Sequence, residues 1–373
     1  MTVRACKFTK DNPRLVIKVG SSIISNQRHY LDRARLAELT RQLSQVKQRG
    51  LQPVLVSSGA IAAGMRSLQF ASRPKDLAQL QACAAVGQSR LMHEYERLFR
   101  REKFITAQIL LTSDDFQSRA RYLNARNTLL QLLENDSIPV VNENDTVVTD
   151  EIRFGDNDRL SALVATLIDA RLLIILSDVD GLYDRSGAVI SQVARVDAAV
   201  QSLAGGTRKS TSVGGMVTKL DSAKIVVNAG IPLVIANGRA ADVVPRILAG
   251  EALGTWFSPS PDALTGRKRW IAFSCRSCGK IIIDEGACAA LRQRGTSLLP
   301  GGVVAVEGNF SPGDIVIVCD RQGREIARGL TNYAQAELVK IRGSKTKDIE
   351  TILGYKSYDE VIHRDNLAVA KEE

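Results

Sequence analysis

The sequence has no uninterrupted apolar run that approaches the ~20 residues needed for a membrane-spanning helix. Even the strongly apolar stretch from Leu172 to Leu176 is far too short. Met1 to Lys10 also lacks the apolar core of a secretory signal. From these absences we expect a cytoplasmic protein with no membrane partner.

Histidine is scarce, and the cysteines are scattered. Three histidines are too few for a His-rich metal centre, and neither a Ser-His-Asp set nor a cysteine with a histidine partner is recognisable. Cys275 and Cys278 have the spacing of zinc ligands, but no second pair and no nearby histidine completes a set of four. Reduced cytosolic thiols are the better interpretation of the six cysteines.

The sequence also lacks a basic tail. Although the formal net charge is +10, lysine and arginine are spread along the whole chain. A general attraction for anionic small molecules fits this distribution as well as RNA binding does. Charge alone therefore leaves both classes of partner open.

A chain of 373 residues is long for one hydrophobic core, so two domains are expected. The first part alternates strand and helix patterns, which favours an α/β fold with a mostly parallel sheet in an αβα sandwich. Pro261 and Gly266 mark a boundary, and short β runs with glycine turns beyond it predict a small β-barrel-like domain. The predicted parts are residues 1–266, 267–356 and a polar tail, 357–373, which we expect to pack loosely or not at all.

Two dense polar clusters stand between a predicted strand, Ile138 to Val141, and a predicted helix, Leu160 to Ile168. The clusters are Asn142 to Thr146 and Gly155 to Asp158. Open α/β sheets bind ligands at the carboxyl ends of their strands, where such segments lie. Asn, Asp and Gly also form ordinary turns, but two clusters that each pair Asp with Asn favour a binding site.

Two lysines lie in patterns that suit anions. Lys18 stands near the end of a β-rich run, just before Gly20, and Lys219 opens a predicted helix after Gly214 and Gly215. Turn N–H groups, a helix N-terminus and a cation together bind phosphate. Taken singly, Lys18 also fits a solvated strand end, and the glycine loop fits a surface loop.

The turn at Ser57 to Ala60 repeats this strand-to-helix pattern. Gly59 and Gly64 have the spacing of a P-loop, but Met65 and Arg66 stand where Lys-Ser/Thr is required, so this is not a Walker A loop. Lysines, glycine-rich turns and acids able to hold Mg²⁺ nevertheless indicate phosphoryl transfer. Such catalysis depends mainly on positioning and charge neutralisation.

Six short motifs follow one another along the chain: Lys18-Val19-Gly20-Ser21-Ser22, Ser57-Ser58-Gly59-Ala60-Ile61-Ala62-Ala63-Gly64, Ala85-Val86-Gly87-Gln88, Asn142-Glu143-Asn144-Asp145, Gly155-Asp156-Asn157-Asp158 and Gly214-Gly215-Met216-x-Thr218-Lys219. Together they resemble the glutamate 5-kinase family, a branch of the amino acid kinases. Bacterial members of that family often carry a C-terminal PUA domain. The resemblance spans essentially the whole chain.

The resemblance implies ATP-dependent phosphorylation of the γ-carboxylate of L-glutamate to L-glutamyl 5-phosphate, the first step of proline biosynthesis. It implies Mg²⁺ held mainly by the ATP phosphates rather than by protein ligands, feedback inhibition by proline, and a homo-oligomer, either dimer or tetramer. The alternatives are an RNA-binding PUA protein and a related kinase acting on aspartate, acetylglutamate or carbamate. The C-terminal part shows no run of aromatic residues for base stacking.

Motif position also implies a role for individual residues. Lys18 and Lys219 would bridge the phosphates, and Asp158 would orient both lysines. Ser58, Asp145 and Asn157 would bind glutamate. The nucleotide would be held by Lys18, Ser177, Asp178, Val213, Gly214, Gly215, Met216, Val217, Thr218 and Lys219. The family usually has hydroxyl residues at the positions of Val213 and Val217, so we expect no side-chain contact to the nucleotide there.

Overall fold

The computed structural model describes residues 12–26, 30–147, 157–204, 215–261, 266–273 and 277–370. The chain forms two compact units. One comprises Met1–Asp115 and Arg119–Ala263, and the other comprises Phe116–Ser118 and Leu264–Glu373. Within the described residues, no helix is long and apolar enough to cross a membrane.

The first unit is built from strands that alternate with helices. Its strands are β1 Arg14–Val19, β2 Gln52–Ser57, β3 Thr106–Leu111, β4 Ile138–Glu143, β5 Leu172–Ser177, β6 Gln192–Val193, β7 Leu233–Asn237 and β8 Thr255–Phe257. Its helices are α1 Ser21–Ile24, α2 Arg33–Gln48, α3 Ala60–Ser67, α4 Leu77–Arg101, α5 Ser113–Gln117, α6 Arg119–Glu134, α7 Asn157–Leu167, α8 Ala198–Ala204, α9 Met216–Asn228 and α10 Val243–Leu248. The last two residues of α5, Phe116 and Gln117, belong to the second unit.

These strands form one sheet in the order β3-β4-β2-β1-β5-β7-β8-β6. Neighbouring strands run parallel except for the antiparallel pair β7 and β8. β1 is central, and the chain adds β2 on one side of it and β5 on the other. The carboxyl end of β1 is therefore the topological switch point, where open α/β sheets bind their ligands.

Alternate residues of β1 face opposite sides of this sheet. Leu15, Ile17 and Val19 join a core cluster with apolar residues of α2, α4 and α10. α7 packs against β1, β2, β4 and β5, and α9 packs against α7 and β7. The predicted mostly parallel sheet with helices on both faces is confirmed.

Helix boundaries follow local capping signals. The Asp32 side chain accepts from the backbone N–H groups of Ala34 and Arg35 at the start of α2, and Asp76 caps α4 in the same way. Gly50 follows α2 with φ +82°, a conformation that glycine adopts without strain. These local signals explain where both helices begin and where α2 ends.

The second unit has its own sheet and core. Its helices are α11 Gly266–Phe273, α12 Glu285–Arg294, α13 Gln335–Ile341 and α14 Ile349–Leu353, and its strands are β9 Gly279–Ile283, β10 Val303–Gly308, β11 Ile315–Cys319, β12 Glu325–Leu330 and β13 Leu367–Val369. The strand order is β10-β9-β11-β12-β13. Trp270 donates its indole N–H to the carbonyl of Phe116 at 2.8 Å.

The expectation of a loosely packed tail after Tyr355 was wrong for the described residues up to Ala370. Val361 and Ile362 are fully buried in the core of the second unit. Leu367–Val369 forms an edge strand that pairs antiparallel with β12. A few apolar residues in a polar segment are enough for this packing, because only one face of an antiparallel edge strand has to be apolar.

Candidate active site

Lys18 lies on the face of β1 that α7 covers. Its neighbours Ile17 and Val19 point to the opposite helical layer, so the strand period directs Lys18 toward α7. α7 begins at Asn157 rather than at the predicted Leu160. This earlier start places Asp158 in the first helical turn, where a negative charge is favoured by the helix dipole.

Two lysines from distant parts of the chain meet at Asp158. Lys18 Nζ forms an ion pair with Asp158 Oδ1, and Lys219 Nζ lies 3.0 Å from Asp158 Oδ2. Lys219 reaches this carboxylate because α9 packs against α7. Thr218 donates its hydroxyl to the Gly215 carbonyl at 2.9 Å and lies 3.5 Å from Asp158 Oδ2.

All three of these side chains are buried. The relative exposure is 5% for Lys18, 5% for Lys219 and 0% for Asp158. Two ammonium groups and one carboxylate carry a net charge of +1 among them. Because charges interact strongly where water is excluded, this cluster attracts an anion to the carboxyl end of β1.

A chain of amide hydrogen bonds lies beside the lysines. Asn157 Nδ2 lies 2.9 Å from Ser58 Oγ, 2.9 Å from Asn142 Oδ1 and 3.2 Å from the Ser57 carbonyl oxygen, so its two hydrogens are shared among three acceptors. Asn142 Nδ2 in turn donates to Gln88 Oε1 at 2.8 Å. The chain thus joins β2, β4, α4 and α7, and it presents amides and a hydroxyl as ligands for a polar molecule.

The turn after β2 is rigidly held. Ser57 donates its hydroxyl to the Ser58 carbonyl at 2.9 Å, so the Tyr95 hydroxyl, 2.8 Å from Ser57 Oγ, is the donor in that pair. Complete burial raises the pKa of Tyr95. Gly59 follows with φ +109°, and a Cβ there would lie 2.7 Å from Ile24 Cδ1, so this position requires glycine.

Two glycines bring α3 and α4 into backbone contact. A Cβ on Gly64 would lie 1.9 Å from the Cys83 carbonyl oxygen, and a Cβ on Gly87 would lie 1.7 Å from the Ala60 carbonyl oxygen. The Gly59 to Gly64 spacing therefore reflects a turn followed by helix packing. This contact also holds Gln88, which follows Gly87, next to the start of α3.

Asp145 lies half-buried in the turn after β4. Desolvation lowers the pKa of the Arg73 guanidinium, while the negative charge of Asp145 acts in the opposite direction. Arg73 belongs to the segment between α3 and α4. The carboxylate of Asp145 therefore lies in a site edge that also contains a permanent cation.

The carboxyl end of β5 forms a second polar edge. Ser177 is buried and donates its hydroxyl to Asp178 Oδ1 at 3.2 Å. Asp180 Oδ1 accepts from Asn237 Nδ2 at 2.8 Å, which joins the loop after β5 to the end of β7. Asp178 is exposed. These groups lie one strand away from Lys18, on the β5 side of the switch point.

α9 begins without a side-chain cap. Its N-cap residue, Gly215, provides no side-chain hydrogen bond to the first N–H groups of the helix, and such N–H groups can bind an anion. Met216 is the first helical residue, and Val217 is 54% exposed. Val213 and Gly214, together with Gly155 and Asp156, lie outside the described residues.

Two residues of this site received no individual role from the sequence. Asn142 and Gln88 stand in motifs, but only the structure shows that they connect Asn157 to α4. The signal was present in the motif Ala85-Val86-Gly87-Gln88, where Gln88 directly follows a glycine. It could not be interpreted without knowing that the glycine allows α4 to approach α3.

The described residues do not form a protein-held metal site. Among them, no group of three or more His, Cys, Asp or Glu side chains could hold a metal ion. The Asp158 carboxylate, which has the right chemistry for Mg²⁺, faces two ammonium groups instead. A metal ion would depend on other ligands, such as those of a bound substrate.

The fold and the site together define a phosphotransferase of the amino acid kinase class. A mostly parallel sheet presents two lysines, a helix N-terminus and a set of amide ligands at its switch point. In agreement, residues 13–237 match the model of the amino acid kinase family, and residues 279–353 match that of the PUA domain.

Full-length relatives specify the family further. The glutamate 5-kinase of Caldanaerobacter subterraneus subsp. tengcongensis is 49% identical over 362 residues, which cover 95% of this chain and 97% of that protein. The glutamate 5-kinase of Syntrophotalea carbinolica is 48% identical, covering 96% and 97% respectively. The glutamate 5-kinase of Citrifermentans bemidjiense is 47% identical, and the match covers 97% of this chain and 99% of that protein. The chain belongs to the glutamate 5-kinase family, which confirms the resemblance found in its motifs.

Proposed function

We propose that the protein transfers the γ-phosphoryl group of ATP to the γ-carboxylate of L-glutamate, giving L-glutamyl 5-phosphate and ADP. This reaction is the first step of proline biosynthesis. One observation carries the proposal: two buried lysines converge on the single carboxylate of Asp158, directly beside the amide chain of Asn157 and Ser58. A cationic site for phosphate thus adjoins a polar site for an amino acid.

The transfer needs no general base. A carboxylate oxygen of glutamate forms the new bond to the γ-phosphorus, and the bond between that phosphorus and the bridging oxygen of ADP breaks. Because a γ-carboxylate is already ionised near pH 7, no proton has to be removed. The protein's contribution is positioning and charge stabilisation.

The lysines reduce the repulsion between two anionic substrates. ATP and the attacking carboxylate carry charges of the same sign, and their approach is unfavourable without cations. Lys18 and Lys219 supply these cations, and Asp158 keeps both ammonium groups in fixed positions. Their burial supports this role, because a preorganised charge in a water-poor site needs no reorganisation during the reaction.

Glutamate binds along the amide chain. The Ser58 hydroxyl and the Asn157 amide hydrogen-bond its carboxylates, and the Asp145 carboxylate pairs with its ammonium group. The nucleotide binds at the ends of β5 and α9. Lys18, Ser177, Asp178, Gly215, Met216, Val217, Thr218 and Lys219 surround it, together with Val213 and Gly214. Mg²⁺ would be held mainly by the phosphates of ATP and would partly neutralise their charge.

Trapping of an acyl phosphate with hydroxylamine tests the proposed reaction. We expect hydroxamate to form with L-glutamate and ATP·Mg²⁺, and little or none to form with aspartate or acetylglutamate. A preference for either of those acids over glutamate would contradict the proposal and favour a related kinase. Omitting Mg²⁺ is expected to abolish turnover.

Replacing Asp145 by alanine is expected to raise the KM for glutamate by about tenfold or more, because the ammonium group loses its charged partner. The KM for ATP should change little. Steady-state kinetics with each substrate varied in turn measures both constants. Equal increases in the two KM values would count against the assignment, and Asp359→Ala in the second unit serves as the control.

Other properties stay predictions from the sequence. They are feedback inhibition by proline, assembly into a dimer or tetramer, RNA binding by the PUA domain and a cytoplasmic location. Proline and glutamate share an α-carboxylate and a cationic nitrogen, which supports competition for the same polar groups. Salt-dependent retention on RNA tests the remaining alternative.

A further inference from the structure

The orientation of the Asn142 amide is determined by a backbone donor. The N–H of Glu143 can only donate, and it lies 2.9 Å from Asn142 Oδ1. The same oxygen accepts from Asn157 Nδ2 at 2.9 Å. Asn142 must therefore turn its Nδ2 in the other direction, toward Gln88.

This orientation determines that of Gln88 in turn. Asn142 Nδ2 is a donor, so the atom of Gln88 that lies 2.8 Å away must be the acceptor Oε1. Reversing the Gln88 amide would bring two donors together. Gln88 Nε2 is consequently directed away from Asn142, where it is buried and has no hydrogen-bond partner among the described residues.

A buried N–H without a partner is unfavourable, and such groups in a folded protein call for an explanation. Here the alternative orientation is excluded by the fixed chain from Glu143 through Asn142. The position of Gln88 is also constrained, since Gly87 lies against the Ala60 carbonyl. The structure therefore holds a donor in place that none of the described protein groups uses.

The other end of the amide chain, at Ser58, also carries a donor that the chain does not use. Ser58 Oγ accepts from Asn157 Nδ2, so its own hydrogen is directed elsewhere. Ser58 and Gln88 thus each offer one donor, at opposite ends of this chain. An N–H donor without a protein partner fits an anionic acceptor such as a carboxylate, and it does not fit an ammonium group.

We infer that Gln88 is a further substrate-binding residue, whose Nε2 donates to the α-carboxylate of the bound amino acid. The inference rests on the proposed function. The γ-carboxylate must lie near Lys18 and Lys219 to reach the phosphoryl group. Asn142 lies between Gln88 and Asn157 in the chain of hydrogen bonds. Gln88 therefore binds the end of the substrate that is remote from the phosphoryl group. Gln88 thereby selects for an α-carboxylate.

The sharpest test is Gln88→Glu, which replaces Nε2 by an oxygen and keeps an acceptor for Asn142. We expect the KM for glutamate to rise by about tenfold or more, because a donor becomes a negatively charged acceptor. kcat at saturating glutamate and the KM for ATP should stay within about twofold of the wild type. Glutamate binding in the presence of a non-hydrolysable ATP analogue, measured by calorimetry, should weaken to the same extent.

A substrate analogue extends the test. Isoglutamine has an amide in place of the α-carboxylate, and its N–H groups can donate to the new carboxylate. The wild-type preference for glutamate over isoglutamine should therefore shrink by about tenfold or more in Gln88→Glu. Gln79→Glu, the same substitution at an exposed position of α4, should leave the preference unchanged.

The outcomes separate this inference from the proposed function. Wild-type protein that forms no acyl phosphate from glutamate would contradict the proposed function. Wild-type turnover with the same glutamate KM in Gln88→Glu would contradict only the role of Gln88. A parallel loss of kcat, ATP affinity and melting temperature would show a merely structural role and overturn the inference. Gln88→Met adds no charge but removes both the donor and the acceptor that Asn142 Nδ2 uses, and it should also raise the KM for glutamate if the inference holds.

Discussion

Lys219→Ala is expected to lower kcat by about 100- to 1,000-fold, the usual effect of removing one preorganised group that stabilises transition-state charge. Lys219 is buried and lies 3.0 Å from Asp158 Oδ2. Without its ammonium group the charge that spreads over the transferred phosphoryl oxygens loses one of two cations. The hydroxamate assay at saturating substrates measures the change.

The variant should remain folded. Lys18 keeps its ion pair with Asp158, so the buried carboxylate is not left without a cation. Thermal unfolding checks this expectation, and Lys224→Ala on the same helix is the matched control for the loss of a lysine. Turnover of Lys219→Ala close to that of the wild type would refute the assigned role.

Asp158→Asn is expected to reduce both turnover and stability. Asparagine keeps the shape of the side chain, but it presents an amide NH₂ to one of the two buried ammonium groups. The net charge of the cluster rises from +1 to +2. Removing one member of a buried ion pair costs about 3–5 kcal/mol of folding free energy. Denaturant unfolding measures that loss, and kcat should fall by about 100-fold or more because both lysines lose their fixed positions.

ATP should partly offset this destabilisation. Phosphate groups restore negative charge next to the lysines, so saturating ATP is expected to stabilise Asp158→Asn more than it stabilises the wild type. Asp221→Asn, at an exposed position of α9, is the control. Wild-type stability together with wild-type turnover in Asp158→Asn would show that the carboxylate does not organise the two lysines.

Much of the architecture was predictable because it depends on local patterns. Strand-like and helix-like runs alternate along the first part of the chain, and helical crossovers between buried strands favour parallel pairing. The two lysines were recognisable since each adjoins a glycine-rich turn at a strand end or a helix start. Asp158 was recognisable from its place in a dense polar cluster.

Other features were not predictable, because they depend on contacts between distant segments. Gly64 and Gly87 have ordinary helical surroundings in the sequence, and only the approach of α3 to α4 explains why neither has room for a Cβ. The apolar pair Val361 and Ile362 is too short to reveal a strand partner. Its burial depends on the sheet of the second unit.

The sequence by itself determined the class of fold, the family and the residue types at the site, since strand periodicity, helix caps and motif order are properties of neighbouring residues. Only the tertiary structure decided that Lys18 and Lys219 share one carboxylate, and which atom of each amide donates. Gln88 and Asn142 are 54 residues apart, and Asn157 and Ser58 are 99 residues apart. The direction of a hydrogen bond between such groups depends on how the strands and helices that carry them pack.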